Sequence, residues 1–416
     1  MTHFGIISPP VSGHLHPLTA LGRELQARGH RVTCFQVRDV EEKIRALEMD
    51  FWPIGESDHP VGSLPQSLDQ LGRLKGLAAL RFTIRAIAKT SIMVCRDAPA
   101  AIRSAGVDAL LVDQMEPAGG AVAEHLGIPF ITVCNALAIN RDPVAPPPFS
   151  GWNYREGGWA KLRNSAGYAV SDWLTRPVAQ AVDEYRVKWK LPPLHSPDES
   201  FSKLAQICQM PREFDFPRVE LPAGFHYVGP LRRALPVPVP FPWDRLDGRP
   251  LVYASLGTLQ GSRMDLFRCI AEACEGLNVQ LVLNHVGGLT PQQETELPKG
   301  PLVVGYAPQV ELLSRTRLTI THAGLNTVLD SLIHGVPMVT VPITFEQPAI
   351  ARRVEWTGCG RSVQLSTLNA ARLKKMVREV LEEPKYLESS RRIAESIRMA
   401  GGVQRAADLV EATVIS

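Results

Sequence analysis

Short β-branched runs alternate with longer amphipathic stretches along almost the whole chain of 416 residues. In the first half, the pattern predicts strands at 3–8, 31–37, 108–112 and 129–133 and helices at 17–28 and 118–126. Strands that alternate with helices form parallel sheets covered by helices. The sequence therefore predicts an α/β fold.

The alternation stops at 232–250 and then restarts. Pro236, Pro238, Pro240 and Pro242 lie in this stretch, and proline favours an extended connector because it cannot donate to a strand ladder. Further strands are predicted at 251–255, 279–284, 302–304, 318–321 and 336–341. Because domains usually have about 100–200 residues, we predict two doubly wound, Rossmann-like domains that face each other across a cleft.

The predicted boundaries follow from this pattern. The N-terminal domain covers 1–231, the proline-rich linker 232–250 and the second domain 251–395. A C-terminal helix at 396–416 is expected to pack back on the N-terminal domain. The less regular part from 143 to 211 is expected to form mostly helices and loops over the first sheet.

Charge and apolar patterning exclude several classes of protein. The net charge is only +3, from 45 basic and 42 acidic residues, and a nucleic-acid partner is not expected. The longest apolar stretch is interrupted by Pro129, Thr132 and Asn135, which argues against a membrane span. The N-terminus lacks the features of a signal peptide, and the seven scattered cysteines suit a reducing cytoplasm. The oligomeric state is left open.

Candidate catalytic groups follow two strands of the first predicted sheet, where ligands of open parallel sheets bind. His14 and His16 come after the strand at 3–8, and imidazole is suited to accept a proton near neutral pH. Asp113 follows the strand at 108–112 and could orient such a histidine. The alternative is that these residues only cap helices.

A second polar cluster follows the strand at 318–321. His322, Gly324, Asn326 and Thr327 lie where a helix begins, and backbone N–H groups at such a position bind anions. Asp330 lies one turn further along the same helix face as Asn326. This layout suits a diphosphate followed by a sugar hydroxyl, as in a nucleotide, although ordinary capping residues are the alternative.

Neighbouring loops add polar groups to this cluster. Ser255, Gly257 and Thr258 follow one strand as a small, hydroxyl-bearing turn. Glu346 and Gln347 follow another, and a carboxylate beside an amide suits vicinal sugar hydroxyls. Tyr306 offers an aromatic face to a base or to the protein interior.

These motifs together resemble the nucleotide-sugar signature of the family 1 glycosyltransferases of GT-B fold. The signature there is aromatic-Ala-Pro-Gln, His-x-Gly-x-Asn-Ser/Thr-x-x-Glu/Asp, Gly-Val-Pro and Asp/Glu-Gln. In this chain the motifs are Tyr306-Ala307-Pro308-Gln309, His322–Asp330, Gly335-Val336-Pro337 and Glu346-Gln347. Within the family, the strings at 107–120, 140–143, 225–232, 254–261, 288–293 and 321–332 are similar to bacterial enzymes that glucosylate carotenoids such as zeaxanthin.

The resemblance implies a role for each matching residue. His14 would be the catalytic base and Asp113 its orienting partner. The implied donor-binding residues are Ser255, Gly257, Thr258, Tyr306, Ala307, Gln309, His322, Gly324, Asn326, Thr327, Asp330, Glu346 and Gln347. Among them, His322 would bind the diphosphate, Asp330 the ribose and the Glu346–Gln347 pair the sugar. Tyr306 replaces the tryptophan of plant members, and Glu346 replaces the more usual aspartate.

The implied reaction is inverting transfer of glucose from UDP-glucose to a hydroxyl of a lipophilic terpenoid such as zeaxanthin. No cofactor or metal is expected, because Glu213-Phe-Asp215 has acidic spacing but is interpreted as solvated surface. Alternatives are a UDP-glycosyltransferase for another lipophile (a macrolide, flavonoid or steroid), a UDP-sugar epimerase, or a non-catalytic nucleotide-sugar sensor.

The acceptor site is expected in the N-terminal domain. The stretch at 143–189 carries seven tryptophans and tyrosines, which are Trp152, Tyr154, Trp159, Tyr168, Trp173, Tyr185 and Trp189. They could line an apolar cleft or pack between helices. An amphipathic patch there could also contact a membrane peripherally and collect the acceptor. Asn135 is a further candidate for contact with the donor sugar.

Overall fold

The computed structural model describes residues 1–74, 76–233 and 238–415. The first domain contains a parallel sheet in the order β3-β2-β1-β4-β5-β6-β7. Its strands are β1 (His3–Ile7), β2 (Arg31–Gln36), β3 (Asp50–Pro53), β4 (Ala109–Asp113), β5 (Phe130–Cys134), β6 (Gln206–Cys208) and β7 (Phe225–Tyr227). Its helices are α1 (Ser12–Ala27), α2 (Glu41–Arg45), α3 (Ser63–Arg73), α4 (Gly76–Ala105), α5 (Ala118–Leu126) and α6 (Gly158–Lys188).

The second domain contains a parallel sheet in the order β10-β9-β8-β11-β12-β13. Its strands are β8 (Leu251–Ser255), β9 (Gln280–Asn284), β10 (Leu302–Val304), β11 (Thr316–Thr321), β12 (Met338–Thr340) and β13 (Gly360–Ser362). The remaining helices are α7 (Met264–Cys274), α8 (Pro291–Thr295), α9 (Gln309–Leu313), α10 (Leu325–Ile333), α11 (Gln347–Trp356), α12 (Ala370–Glu382), α13 (Pro384–Ala400) and α14 (Gly402–Val414). The prediction of two doubly wound domains is confirmed.

Local predictions differ from the structure in two instructive places. Helix α1 begins at Ser12, five residues before the predicted start, so His14 lies on the helix and Pro17 lies inside it. Strand β6 lies within the stretch predicted to form mostly helices and loops, and the sequence did not locate it. A three-residue strand is too short to show alternation in the sequence, and only its pairing with β5 and β7 defines it.

The topology places the chemistry-bearing loops at the two points where strand order reverses. In the first sheet β1 pairs with both β2 and β4, so the loop after β1 and the end of β4 are neighbours. In the second sheet β8 pairs with both β9 and β11, which places the loops after β8 and β11 side by side. Such reversal points are where open parallel sheets bind ligands.

A shared apolar cluster joins the two domains. Cys134, Met210 and Phe214 of the first domain pack in it with Leu325 and Val328 of α10 in the second, and all five are buried. Burial of apolar area stabilises such a contact by about 25 cal/mol per Å². This cluster lies beneath the cleft and holds the two reversal points opposite each other.

The C-terminal segment crosses between the domains. Helix α14 packs on α1, and its buried Val403 and Val410 belong to the core of the first domain. Arg28 of α1 donates to Asp408 at 2.7 Å and to Glu411 at 2.7 Å. The boundary expected at 396 falls inside α13, and the chain turns at Gly401, whose φ of +90° is in the left-handed region.

Of the described linker residues, 232–233 and 238–250, the second stretch lies on the second domain rather than free of it. The ring of Trp243 packs beside Phe241 and beneath the guanidinium of Arg315, 4.7 Å from the ring centre. Pro236 lies outside the described residues. Within the described residues, no helix is both long enough and apolar enough to cross a bilayer.

Candidate active site

His14 is paired with Asp113 across the strand-order reversal of the first sheet. The imidazole Nδ1 lies 2.8 Å from Oδ2 of Asp113, whose side chain is fully buried. The amide of Asn135 donates to the same Oδ2 at 2.7 Å, and the backbone N–H of Met115 donates to Oδ1 at 2.8 Å. These donors fix the orientation of the carboxylate, so Nδ1 of His14 carries the proton and Nε2 is the basic nitrogen.

The charge of Asp113 also sets the basicity of His14. Burial disfavours the imidazolium, but the charge and hydrogen bond of Asp113 and the charge of Glu346 together outweigh burial, so the pKa of His14 is raised above its ordinary value. His16 points differently. Burial and the charge of Arg232 lower its pKa, and no bond to Asp113 forms. The structure therefore distinguishes the two histidines that the sequence left as equals.

Pro17 connects the histidine helix to the second domain. A helical residue normally donates its N–H to the carbonyl four residues earlier, but proline has no N–H, which leaves the Gly13 carbonyl free. Nδ2 of Asn326 donates to that carbonyl at 2.8 Å. Asn326 belongs to α10, so the bond fixes the position of the His14 turn relative to the polar cluster of the second domain.

The His322 turn is closely packed. Ala323 has a φ of +66°, and Gly324 is the N-cap of α10. A Cβ added at Gly257 would lie 2.7 Å from Cε1 of His322, and one at Gly324 would lie 2.5 Å from Nε2. Both glycines are needed because the imidazole lies flat between the two loops. Burial lowers the pKa of His322 to about 4, against a smaller opposing effect of the Ser255 carbonyl, so the ring is neutral at neutral pH.

Helix α10 carries an extended hydrogen-bond network just behind this turn. Oδ1 of Asn326 accepts from Arg232 at 3.0 Å and from Gln209 at 3.2 Å. Asp330 accepts from Nε of Arg232 at 2.6 Å and from Nε2 of Gln309 at 2.6 Å. The polar side chains of α10 are therefore held in place by both domains.

The remaining donor-site candidates surround the same space. Gln347 begins α11, and its Oε1 accepts from the backbone N–H groups of Ile343 and Thr344, each at 2.9 Å, which shapes the loop that carries Glu346. Burial raises the pKa of Glu346. Tyr306 has 63% of its surface exposed, so its ring is a free face rather than a core residue.

One cavity of about 2370 Å³ contains nearly all of these groups. Fourteen of the fifteen predicted site residues line it: His14, Ser255, Gly257, Thr258, Tyr306, Ala307, Gln309, His322, Gly324, Asn326, Thr327, Asp330, Glu346 and Gln347. Asp113 lies behind His14. Ordinary ligand pockets have about 300–1,000 Å³. This cavity has room for two substrates together.

The apolar end of the cavity is built mainly by helices α3, α4 and α6. Apolar residues of these helices that line it include Leu64, Leu68, Leu71, Leu80, Phe82, Ile87, Val170 and Leu174. Of the seven tryptophans and tyrosines at 143–189, Trp152 alone lines it, beside the neighbouring Phe149. Tyr154 stacks on Phe216, and Trp189 stacks on His125. Helices α3 and α4 supply most of this apolar wall, although the sequence did not indicate them as part of an acceptor site.

The sequence did not predict the positions of three charged residues, which are Asp215, Arg232 and Glu116. Asp215 is not solvated surface: it is buried and bonded to Arg218 at 2.7 Å and to Arg353 at 2.9 Å. Although burial opposes it, these two cations hold the pKa of Asp215 well below its usual range. Among the described residues, no group of three or more His, Cys, Asp or Glu side chains is arranged to hold a metal ion.

Arg232 and Glu116 were missed as site residues. Arg232, assigned to the linker, lines the cavity and is the cation beside the α10 end. Glu116 follows β4 and also lines it, with only 4% of its surface exposed. Burial and the nearby charge of Asp113 raise the pKa of Glu116 to about 8, so it is neutral at neutral pH. The motif at 225–232, which ends at Arg232, was visible in the sequence. The contact of Arg232 with Asp330, however, depends on the docking of the domains.

Two doubly wound domains, with a histidine–aspartate pair facing the N-terminus of α10 across one cavity, define a GT-B glycosyltransferase. The family model described as UDP-glucoronosyl and UDP-glucosyl transferase matches residues 166–397. The chain belongs to this family of glycosyltransferases.

Comparison with individual proteins agrees with this assignment. The zeaxanthin glucosyltransferase of Pantoea ananas is 39% identical, and the match covers 99% of this chain and 96% of that protein. The zeaxanthin glucosyltransferase of Pseudescherichia vulneris is 37% identical over 100% of this chain and 98% of its own length. The solved glycotransferase of kitacinnamycin superposes with a TM-score of 0.78 at 23% identity, covering 99% of both chains, which supports the fold alone.

Proposed function

We propose that the protein transfers glucose from UDP-glucose to a hydroxyl of zeaxanthin or a closely related carotenoid, with inversion at the anomeric carbon. The observation that carries the proposal is the placement of the His14–Asp113 pair opposite the His322 turn, joined by the bond from Asn326 to the Gly13 carbonyl. The two relatives named zeaxanthin glucosyltransferase support the choice of acceptor.

His14 is proposed as the general base. Its Nε2 takes the proton of the acceptor hydroxyl while the oxygen attacks the anomeric carbon from the face opposite the diphosphate. Asp113 stabilises the imidazolium that results, and its bond at 2.8 Å keeps Nε2 unprotonated until then. A positioned base contributes roughly 10²–10⁴-fold. Because a single displacement inverts the centre, an α-linked donor gives a β-glucoside.

The second domain is proposed to bind the donor and stabilise the departing UDP. Its diphosphate would lie at the N-terminus of α10, beside His322 and Thr327 and within reach of Arg232. The Glu346–Gln347 loop would hold glucose hydroxyls, and Tyr306 would stack on uracil. Gln309 and Arg232 hydrogen-bond both oxygens of Asp330, so a ribose hydroxyl would share that carboxylate with them. Arg232 and the helix end supply positive potential, and we propose metal-independent transfer.

The apolar walls of α3, α4 and α6 support an extended lipophilic acceptor. An aliphatic and aromatic lining suits a polyene chain, with the terminal hydroxyl directed to His14. The same lining would also admit another lipophile, so a related glycosyltransferase acting on a macrolide, flavonoid or steroid is the second candidate.

A panel of acceptors tests this assignment. The protein is incubated with UDP-glucose and zeaxanthin in detergent micelles, a macrolide, a flavonoid or a steroid, and products are read by mass spectrometry and by the anomeric NMR coupling. We expect a zeaxanthin β-glucoside, formed equally well with excess EDTA. Glucosylation of another lipophile in preference to zeaxanthin would favour the second candidate. Conversion of UDP-glucose to another UDP-sugar without acceptor, or binding of UDP-glucose with no transfer, would contradict glycosyl transfer altogether.

A further inference from the structure

Helix α6 presents an apolar face to solvent as well as to the protein. Its buried face, which includes Ala160, Tyr168 and Val178, packs on the first domain. The opposite face of its first five turns is exposed and consists of Trp159, Leu162, Ala166, Ala169, Val170, Trp173 and Pro177, which recur at three- and four-residue spacing. Trp159 has 86% of its surface exposed and Trp173 has 71%. Surface helices normally carry polar residues on this side.

The outward face of α6 is continuous with the acceptor end of the cavity. Ala166 and Val170 belong to the exposed face and also line the cavity. Helix α4 packs along α6, and the exposed Leu80 of α4 also lines the cavity. The exposed Leu77 precedes it by one turn. An apolar surface therefore surrounds the entrance through which an acceptor would pass.

Positive charge is concentrated around the same surface. Residues 76–90 contain three basic residues, Arg81, Arg85 and Lys89, and no acidic one. Residues 151–177 contain four basic and two acidic residues, and the acidic Asp172 is already paired with Arg141. Together the two stretches carry a net charge of +5, whereas the whole chain carries +3.

We propose that this α4–α6 surface docks on an anionic lipid bilayer and opens the cavity to the membrane interior. An exposed apolar helix face flanked by cations is the chemistry that interfacial lipid binding requires. A second copy of the chain fits less well, because a two-fold contact through this face would bring the same cations together. The link to acceptor uptake rests on the proposed function, since an apolar acceptor dissolved in lipid would then enter without crossing water.

Vesicle flotation with the full chain tests the surface. The vesicles are either phosphatidylcholine alone or equimolar phosphatidylglycerol and phosphatidylcholine. The apolar variant is Trp159→Ser with Trp173→Ser, the charge variant is Arg81→Gln with Lys161→Gln, and the control is Met399→Ser, which removes an exposed apolar side chain on α13. In a separate assay, glucose transfer to an acceptor in detergent micelles is measured for each protein.

We expect the wild type and the control to float with the anionic vesicles, and the apolar variant to lose at least tenfold in partitioning. The charge variant should bind roughly 25-fold more weakly, about fivefold for each cation. All variants should keep the wild-type rate in micelles. A wild type that stays unbound, or variants that bind like it, would overturn the proposal. So would a wild-type dimer in sedimentation equilibrium that the apolar variant converts to monomer. A protein that floats but transfers no glucose in micelles would instead contradict the proposed function.

Discussion

Replacing Asp113 with asparagine should remove the base without disturbing the donor site. In the wild type, Oδ2 accepts from His14 and from Asn135, and Oδ1 accepts from the backbone N–H of Met115. An asparagine has only one side-chain oxygen, so it cannot accept hydrogen bonds on both sides as the carboxylate does. If its oxygen stays at Met115, its NH₂ faces the Asn135 amide and Nδ1 of His14, and His14 must then move its proton to Nε2. If the amide is flipped, its NH₂ points at the backbone N–H of Met115, and two donors face each other.

Both arrangements are unfavourable, and the first abolishes the basic Nε2. The expected loss is therefore the whole contribution of an oriented base, roughly 10³–10⁴-fold in kcat, or about 4–5.5 kcal/mol of transition-state stabilisation. Since Asp113 is the main group that raises the pKa of His14, residual activity should persist to lower pH. The affinity for UDP should stay unchanged, because Asp113 does not line the cavity.

Steady-state transfer from UDP-glucose, measured across pH, reports kcat, and calorimetric titration with UDP reports donor binding. Asp108→Asn is the matched control, since it makes the same change at an exposed carboxylate just before β4. A variant at position 113 with kcat within tenfold of wild type and an unshifted pH profile would refute the base assignment. An equal loss in UDP affinity would mean that the change spreads beyond the dyad.

Three further outcomes are expected. Gly257→Ala places a Cβ 2.7 Å from the His322 ring and should weaken UDP binding by about 1–3 kcal/mol, roughly fivefold to 150-fold. Gly248→Ala has a similar φ of +84° but open space around it, so it should bind UDP normally in the same titration, and equal losses in both would point to backbone strain alone. Glu346→Ala should lower kcat/KM for UDP-glucose by roughly 10–100-fold while UDP affinity is kept, because a charged hydrogen bond contributes about 1.5–3 kcal/mol; an unchanged kcat/KM would remove Glu346 from the sugar site. Folded Glu116 keeps its proton up to about pH 8, whereas an unfolded glutamate releases it near 4.5. As the pH rises between these values, the free energy of unfolding of the wild type, measured in urea, should therefore fall relative to that of Glu116→Gln by up to about 1.4 kcal/mol per pH unit. Parallel pH profiles of the two proteins would contradict the burial of that proton.

Much of the geometry of the candidate donor site could be predicted because its residues are close together in the chain. His322, Asn326 and Asp330 lie within nine positions at a strand-to-helix junction, and their spacing alone places them on one end and one face of α10. The pairing of His14 with Asp113 could be anticipated because the carboxyl ends of parallel strands share one edge of a sheet. The roles of Pro17 and Arg232 could not, because each depends on a contact between domains.

The apolar end of the cavity, in contrast, was poorly predicted from the sequence. Aromatic residues at 143–189 drew attention through composition, yet Trp159 and Trp173 face solvent and Tyr168 is buried. Which side of a helix faces a cavity, the core or solvent depends on what packs against it, and periodicity does not settle this when both faces are apolar.

Strand and helix periodicity and loop chemistry are encoded in neighbouring residues, so the amino-acid sequence specifies the two parallel sheets and the loops that carry the reactive groups. The docking of the domains, the bond from Asn326 to the Gly13 carbonyl and the apolar cavity wall formed by α3 and α4 are visible only in the folded molecule. These features join residues separated by up to 313 positions, and no local pattern specifies such pairings.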